Sequence, residues 1–169
     1  GDVYKRQIEY TNKAINTSND CICVTRPRRF GKSTDANMLV AYYSKGTNSK
    51  DLFNTLNINH CPSFLEHLNK HNVIHLNIQD FLSTTNSIDE MLVKINRMIL
   101  KDLKFEFKDV ITETGIIDVF NEVYAYTKNK FIFIIDEWDC IFREFKEDKT
   151  AQEAYLDFLR SLLKDKNYI

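Results

Sequence analysis

The stretch Thr25-Arg26-Pro27-Arg28-Arg29-Phe30-Gly31-Lys32-Ser33-Thr34 and two adjacent carboxylates far downstream, Asp136 and Glu137, are the groups of this chain best equipped for chemistry. Gly31 has no Cβ and lets backbone amides approach an anion closely. Lys32 brings an ammonium suited to β/γ-phosphates, and Ser33 a hydroxyl that can ligate Mg²⁺. The carboxylates are complementary: Asp136 can hold the shell of the cation, and Glu137 can orient and deprotonate a water. The set points to a nucleoside triphosphate attacked by water.

These groups act together only if regular elements place them. The glycine-lysine-serine core is entered from the apolar run Cys21-Ile22-Cys23-Val24 and is followed by a helical pattern, so it reads as strand, loop, helix. A helix that starts at the loop offers its free amides and positive dipole end to phosphate. The Walker A pattern G-x-x-x-x-G-K-[ST] asks for glycine where this chain has Arg26, and a short Gly-Lys-Ser also occurs in ordinary helix starts and turns. The second motif separates the two readings. Phe131-Ile132-Phe133-Ile134-Ile135 is an unbroken apolar run ending in Asp136-Glu137, a Walker B pattern. Such a run predicts a parallel strand buried on both faces, and ligands of open α/β sheets bind beyond the carboxyl ends of their strands. The alternative is a core strand followed by an acidic helix start.

At these residues the chain resembles the predicted AAA-ATPase-like proteins of bacteria, which are often joined to a C-terminal PD-(D/E)xK nuclease-like domain. Their loop also reads T-R-P-R-R-F-G-K-[ST], which makes Arg26 a family habit, and their Walker B reads close to I-D-E-Y-D. Further similarities are Tyr10-Thr11-Asn12-Lys13 with a Y-V-D-K motif, Leu52 to Ile58 with L-F-x-G-L-x-I, and Val73 to Asn77 with the next strand. Asn12, Thr55 and Trp138 stand where that family tends to have Asp, Gly and Tyr. The resemblance implies an α/β fold of the P-loop NTPase type, a parallel sheet flanked by helices, with ATP and Mg²⁺ as ligands. It implies a further central strand after Ile169, so the chain is expected to be incomplete at its C-terminus, residues 8–169 forming the N-terminal part of the domain. Residues 1–7 read as a non-native adaptor-derived scar and are set aside.

With 169 residues, 43% of them hydrophobic, the chain can bury a sizeable core. A net charge of −1 gives no global pull toward nucleic acid or an anionic membrane. The cluster Arg26, Arg28, Arg29 and Lys32 is local and suits a nucleotide's phosphates better. No apolar run approaches the length of a membrane span, and a cytoplasmic location is expected. Cys21, Cys23, Cys61 and Cys140 lack C-x-x-C spacing and read as reduced thiols. Cys61, His67, His71 and His75 match no common zinc module. The E-x-K triplets at Glu106 and Glu144 sit in charged, non-strand surroundings that do not suit a nuclease metal site.

Strands are expected at Cys21 to Thr25, Val73 to Gln79 and Phe131 to Asp136. Helices are expected from Lys32 to about Ser44, Pro62 to Lys70, Ser87 to about Lys104, Ile116 to Lys128 and Ala151 to Lys164. Alternation of the two types argues for a parallel sheet with crossovers. Ser87 with Glu90 makes a capping-box signature, and Met91, Ile95, Met98 and Ile99 are the expected core face of the helix it starts. Trp138 and Tyr126 either support the site or fill the core. In the reading as a whole, Glu137 activates water, Lys32 and the amides near Gly31 stabilise the transferring phosphoryl group, and Ser33 and Asp136 place Mg²⁺. Phe30 and Thr34 complete the loop, Thr34 against the α-phosphate. Arg28 and Arg29 contact either phosphate or an acidic neighbour. Two other functions use the same motifs: a nucleotide-gated switch with little turnover, and a phosphotransferase acting on a small acceptor.

Overall fold

A computed structural model of the chain describes residues 8–13, 39–40, 42–44 and 71–169. They fall into two compact units. The first takes in the described residues up to Leu76 together with Phe131–Asp136 and Ile169; the second comprises Asn77–Lys130 and Glu137–Tyr168. The expected strand at Cys21 to Thr25, the expected helix at Pro62 to Lys70 and most of the helix expected from Lys32 lie outside the described residues.

In the first unit, strands β1 (Asn72–Asn77) and β2 (Phe131–Asp136) are hydrogen-bonded neighbours in a parallel pair. Parallel neighbours need a long crossover, and three helices lie along the chain between them: α1 (Ile78–Ser83), α2 (Ile88–Glu106) and α3 (Ile116–Thr127). The bounds of β2 are those expected from its apolar run. Its burial differs: Phe131 and Asp136 are buried, whereas Ile132 to Ile135 are half-buried. Among the described residues β2 has one strand neighbour, β1. A parallel bridge joins Ser44 to His71, whose N–H donates to the Tyr43 carbonyl at 2.9 Å.

The N-terminal helical residues 8–13 carry a buried polar contact that gives the Tyr10–Lys13 motif a physical role. Asn12 donates through Nδ2 to the Tyr42 hydroxyl at 3.2 Å and accepts at Oδ1 from the Tyr43 hydroxyl at 2.6 Å. The two tyrosine rings meet edge to face at 4.7 Å, an arrangement the aromatic quadrupole favours. Burial, with Tyr42 adding to it, pushes the Tyr43 hydroxyl far above its ordinary pKa, so it stays a donor.

The second unit is helical. Strand β1 stops at Asn77, short of the expected Gln79, because the Asn77 side chain accepts from the Asp80 N–H at 3.2 Å and starts α1. In α2, Ser87 accepts from the Glu90 N–H at 3.1 Å, while the Glu90 carboxylate reaches back to the N–H of Asn86 at 3.2 Å, one residue before the expected reciprocal partner. Ile88, Met91, Ile95, Ile99 and Leu103 form its buried stripe. Met98, expected there, is 36% exposed, because it falls at the edge of a stripe that follows 3.6-residue spacing through the other five. Helix α2 packs against α1, α3 and a later helix, α5 (Lys149–Leu163). Phe120 of α3 stacks on Tyr168 at 4.9 Å, and the Tyr168 hydroxyl donates to the carbonyl of Leu162.

Helix α3 has Gly115 at its N-cap and no side-chain cap. Glu122, one face along, supplies the acceptors: its carboxylate takes the N–H of Thr112 at 2.9 Å, the N–H of Glu113 at 2.6 Å and the Thr112 hydroxyl at 2.9 Å. The backbone bond from Thr112 is the main cause that holds the Glu122 carboxyl below its usual range. A carboxyl depressed on folding stabilises the native state above its unfolded pKa and loses that contribution as pH falls through the folded value. Glu122→Gln is therefore expected to lower the melting temperature at pH 7, with the gap to wild type closing as the pH is taken down through the carboxylate range. Thermal melts at a series of pH values check this, and a gap that does not change with pH would refute it.

Candidate functional site

Strand β2 delivers Asp136 and Glu137 in different states. Asp136, its last residue, is 4% exposed and is one of three buried polar or charged residues among those described, with Asn12 and Asn72. Glu137 opens a turn and has φ 55°, the left-handed region that L-residues other than glycine rarely adopt. Such a conformation costs roughly 1–3 kcal/mol and persists where the surroundings over-determine it. Three contacts hold this turn. The Cys140 N–H donates to the Glu137 carbonyl at 3.1 Å. The Tyr155 hydroxyl, from α5, donates to the Trp138 carbonyl at 2.6 Å. Arg143, from the short helix α4 (Cys140–Glu144), reaches back to the side chains.

The Arg143 guanidinium bridges two carboxylates. Its Nη2 donates to Glu137 Oε2 at 3.0 Å, and its Nη1 lies 2.8 Å from Asp139 Oδ2. Glu137 is 15% exposed and Arg143 is 35% exposed, so the first pair is shielded on one side and open on the other. Charge-assisted bonds in such a setting are stronger than neutral ones, and the planar fork fixes direction as well as distance. Behind the turn, Trp138 meets Phe142 edge to face at 6.0 Å, and Phe142 meets Tyr155 at 6.3 Å. Gln152 closes the step from α4 to α5 by donating to the Phe145 carbonyl at 2.7 Å. Trp138 thus supports the turn. Tyr126, expected at the site or in the core, is 69% exposed and does neither.

Cys140 is buried and free, and burial pushes its thiol up to about 11, with Arg143 opposing and the neighbouring carboxylates adding to the effect. A thiol so placed is protonated near neutrality and behaves as a core residue. Arg28, Arg29, Phe30, Gly31, Lys32, Ser33 and Thr34 lie outside the described residues. Of the site residues expected from sequence, the structure therefore describes Asp136 and Glu137, as neighbours at the carboxyl end of β2. Arg143, Asp139 and Tyr155 were not anticipated. Arg143 and Tyr155 form no short motif with Glu137, whereas Asp139 falls on the last place of the I-D-E-Y-D pattern, and its i,i+4 step to Arg143 is a helical ion-pair signal.

A family model described as "Predicted AAA-ATPase" matches residues 3–167. The chain belongs to this predicted AAA-ATPase family. The match runs across both motifs, from the glycine-lysine-serine loop to the carboxylates at the end of β2, and continues through α4 and α5. No curated protein and no solved structure matches the chain. Among the described residues, no helix of this AAA-ATPase-like chain is long and apolar enough to cross a membrane.

The Tyr155 hydroxyl is the contact to the turn that is easiest to remove cleanly. Tyr155→Phe keeps the ring and its packing and leaves the Trp138 carbonyl without this donor, a loss of about 1 kcal/mol. The melting temperature is expected to fall by roughly 2–4 °C. Tyr126→Phe, at an exposed ring, is the matched comparison and is expected to leave it unchanged.

Proposed function

We propose that this chain binds ATP and hydrolyses it with Mg²⁺. The observation that carries the reading is the placement of two carboxylates at the carboxyl end of a parallel strand, in a chain of this family whose sequence also holds the loop Arg26–Thr34. The two carboxylates divide the work by burial. Asp136, buried at the strand end, suits an oxygen ligand or outer-shell partner of a hard divalent cation. Glu137, partly open at the head of the turn, suits contact with a water and acts as the general base.

Ser33 and Asp136 would hold Mg²⁺, a donor set of hard oxygens that fits this ion. Bound there, the ion would supply positive charge that offsets the negative charge of the phosphates. The remaining chemistry belongs to the chain. Lys32 and the amides near Gly31 bind the phosphates and stabilise charge that develops on the transferring group. Thr34 contacts the α-phosphate, and Phe30, Arg28 and Arg29 shape the loop around it. A Glu137 carboxylate oxygen takes the proton from the attacking water as the water oxygen bonds to the γ-phosphorus and the bond from that phosphorus to the bridging oxygen breaks, yielding ADP and phosphate. Water, a small acceptor or slow turnover would each use the same loop. The strand ending in Asp136-Glu137 favours water, because an acid beside the cation site is what water activation requires.

Two variants separate binding from chemistry. Mg²⁺-ATP at about 100 times its dissociation constant is expected to stabilise the wild type by roughly 2.7 kcal/mol, a rise of several degrees in melting temperature, and Lys32→Ala is expected to abolish that rise. Glu137→Gln is expected to keep the rise and lower phosphate release by about 10²-fold or more. Phosphate release by Glu137→Gln equal to wild type would remove the general-base role. Transfer to an added acceptor without free phosphate would replace hydrolysis with phosphotransfer.

A further inference from the structure

We propose that Arg143 is the positioning residue for Glu137, holding its carboxylate in the orientation from which it acts on water. The inference rests on the hydrolysis reading above and adds to it a residue that neither motif contains. A glutamate side chain has three rotatable bonds, and a base must present one oxygen in a fixed direction to be effective. Strand β2 cannot fix that direction, since it ends at Asp136. Glu137 sits outside it, in a left-handed turn.

Direction comes from Arg143. A single bond from a flexible cation would leave Glu137 free to rotate with it, but this guanidinium is itself tethered. Its Nη1 is held by Asp139 at 2.8 Å, one helical turn back along the chain, while Nη2 engages Glu137 Oε2 at 3.0 Å. Asp139 thus orients the planar fork, and the fork orients Glu137. A carboxylate has about four lone-pair directions over its two oxygens, and the bond from Arg143 takes one of them on Oε2. The Tyr155 bond to the Trp138 carbonyl and the Cys140 bond to the Glu137 carbonyl fix the backbone beneath. The main chain of the turn thus has holds besides Arg143, and the melts of the Arg143 variants show whether the turn persists without the guanidinium.

The test is steady-state ATP hydrolysis with Mg²⁺ by the wild type, Arg143→Gln and Arg143→Lys, each also melted, and by Glu137→Gln with and without Arg143→Gln. Glutamine keeps much of the volume but loses the charge and the fork, so kcat is expected to fall about tenfold with KM within about twofold. Lysine keeps the charge on a compact ammonium and cannot present a planar fork to two acids, so Arg143→Lys is expected to lie between the other two. In the Glu137→Gln background, Arg143→Gln is expected to have no further effect on turnover, since a residue that acts through Glu137 has nothing left to act through. If Arg143→Gln does not melt cooperatively, Arg143→Lys carries the comparison, with kcat below wild type at unchanged KM as the expected result. A kcat at or above wild type in the folded variants, a loss confined to KM, or a further full loss in the Glu137→Gln background would each overturn the inference. Absence of turnover in the wild type would overturn the hydrolysis reading and this inference together. Turnover to which Arg143 is indifferent would overturn this inference alone.

Discussion

One guanidinium between two carboxylates governs the chemically interesting end of strand β2. Arg143 meets Glu137 and Asp139 at once, and both acids lie in the turn that follows the strand. Without a cation here, two carboxylates two residues apart in a partly shielded turn would repel each other, and the left-handed backbone at Glu137 would have less to offset it. Helix α4 has five residues and is too short to be stable by hydrogen bonding alone. It is held by Ile141 and Cys140 in the core and by its packing on α5. The helix exists, in effect, to return Arg143 to the turn from which the chain has just departed.

The same economy is visible elsewhere in the second unit, where polar side chains do the joining that a short motif would leave undone. Asn77 ends a strand and begins a helix with one side-chain oxygen. Glu122 supplies acceptors to the loop before its own helix, which Gly115 cannot cap with a side chain. Gln152 closes the step between α4 and α5. Each places a hydrogen-bonding group where the regular ladder stops, and each is local in space but three to ten residues away in sequence. The apolar stripe of α2 then needs only to be continuous to gather α1, α3 and α5 around it.

What could be read in the sequence divides along that line. The apolar run from Phe131 and its terminal acids gave the strand and its end to the residue, because a β-branched and aromatic run bounded by charge has few other readings. Ser87 and Glu90 located the start of α2, since capping uses a short, fixed spacing. Helices α1 and α4 were missed for the opposite reason: six and five residues are too few to show a period. Met98, expected on the core face from its helical spacing, and Tyr126, expected at the site or in the core, lie at the surface, because the edge of a buried face is set by the elements packed on it. The half-burial of Ile132 to Ile135 is likewise a matter of what packs on the strand, information that a run of apolar letters does not hold. At the site, Asp136 and Glu137 were legible as a motif. Arg143 was not, because what matters is the direction of a side chain returning from a later helix.

The turn also contains the chain's single tryptophan. Trp138 follows Glu137 directly, lends its carbonyl to Tyr155, rests its ring edge to face against Phe142, and has a buried indole N–H without a hydrogen-bond partner among the described residues. An indole is the dominant long-wavelength emitter of any protein, and its emission shifts with local polarity. In this molecule that light originates from one place, one residue from the carboxylate of greatest interest, so the ultraviolet fluorescence of the unlabelled chain reports on this turn above all others.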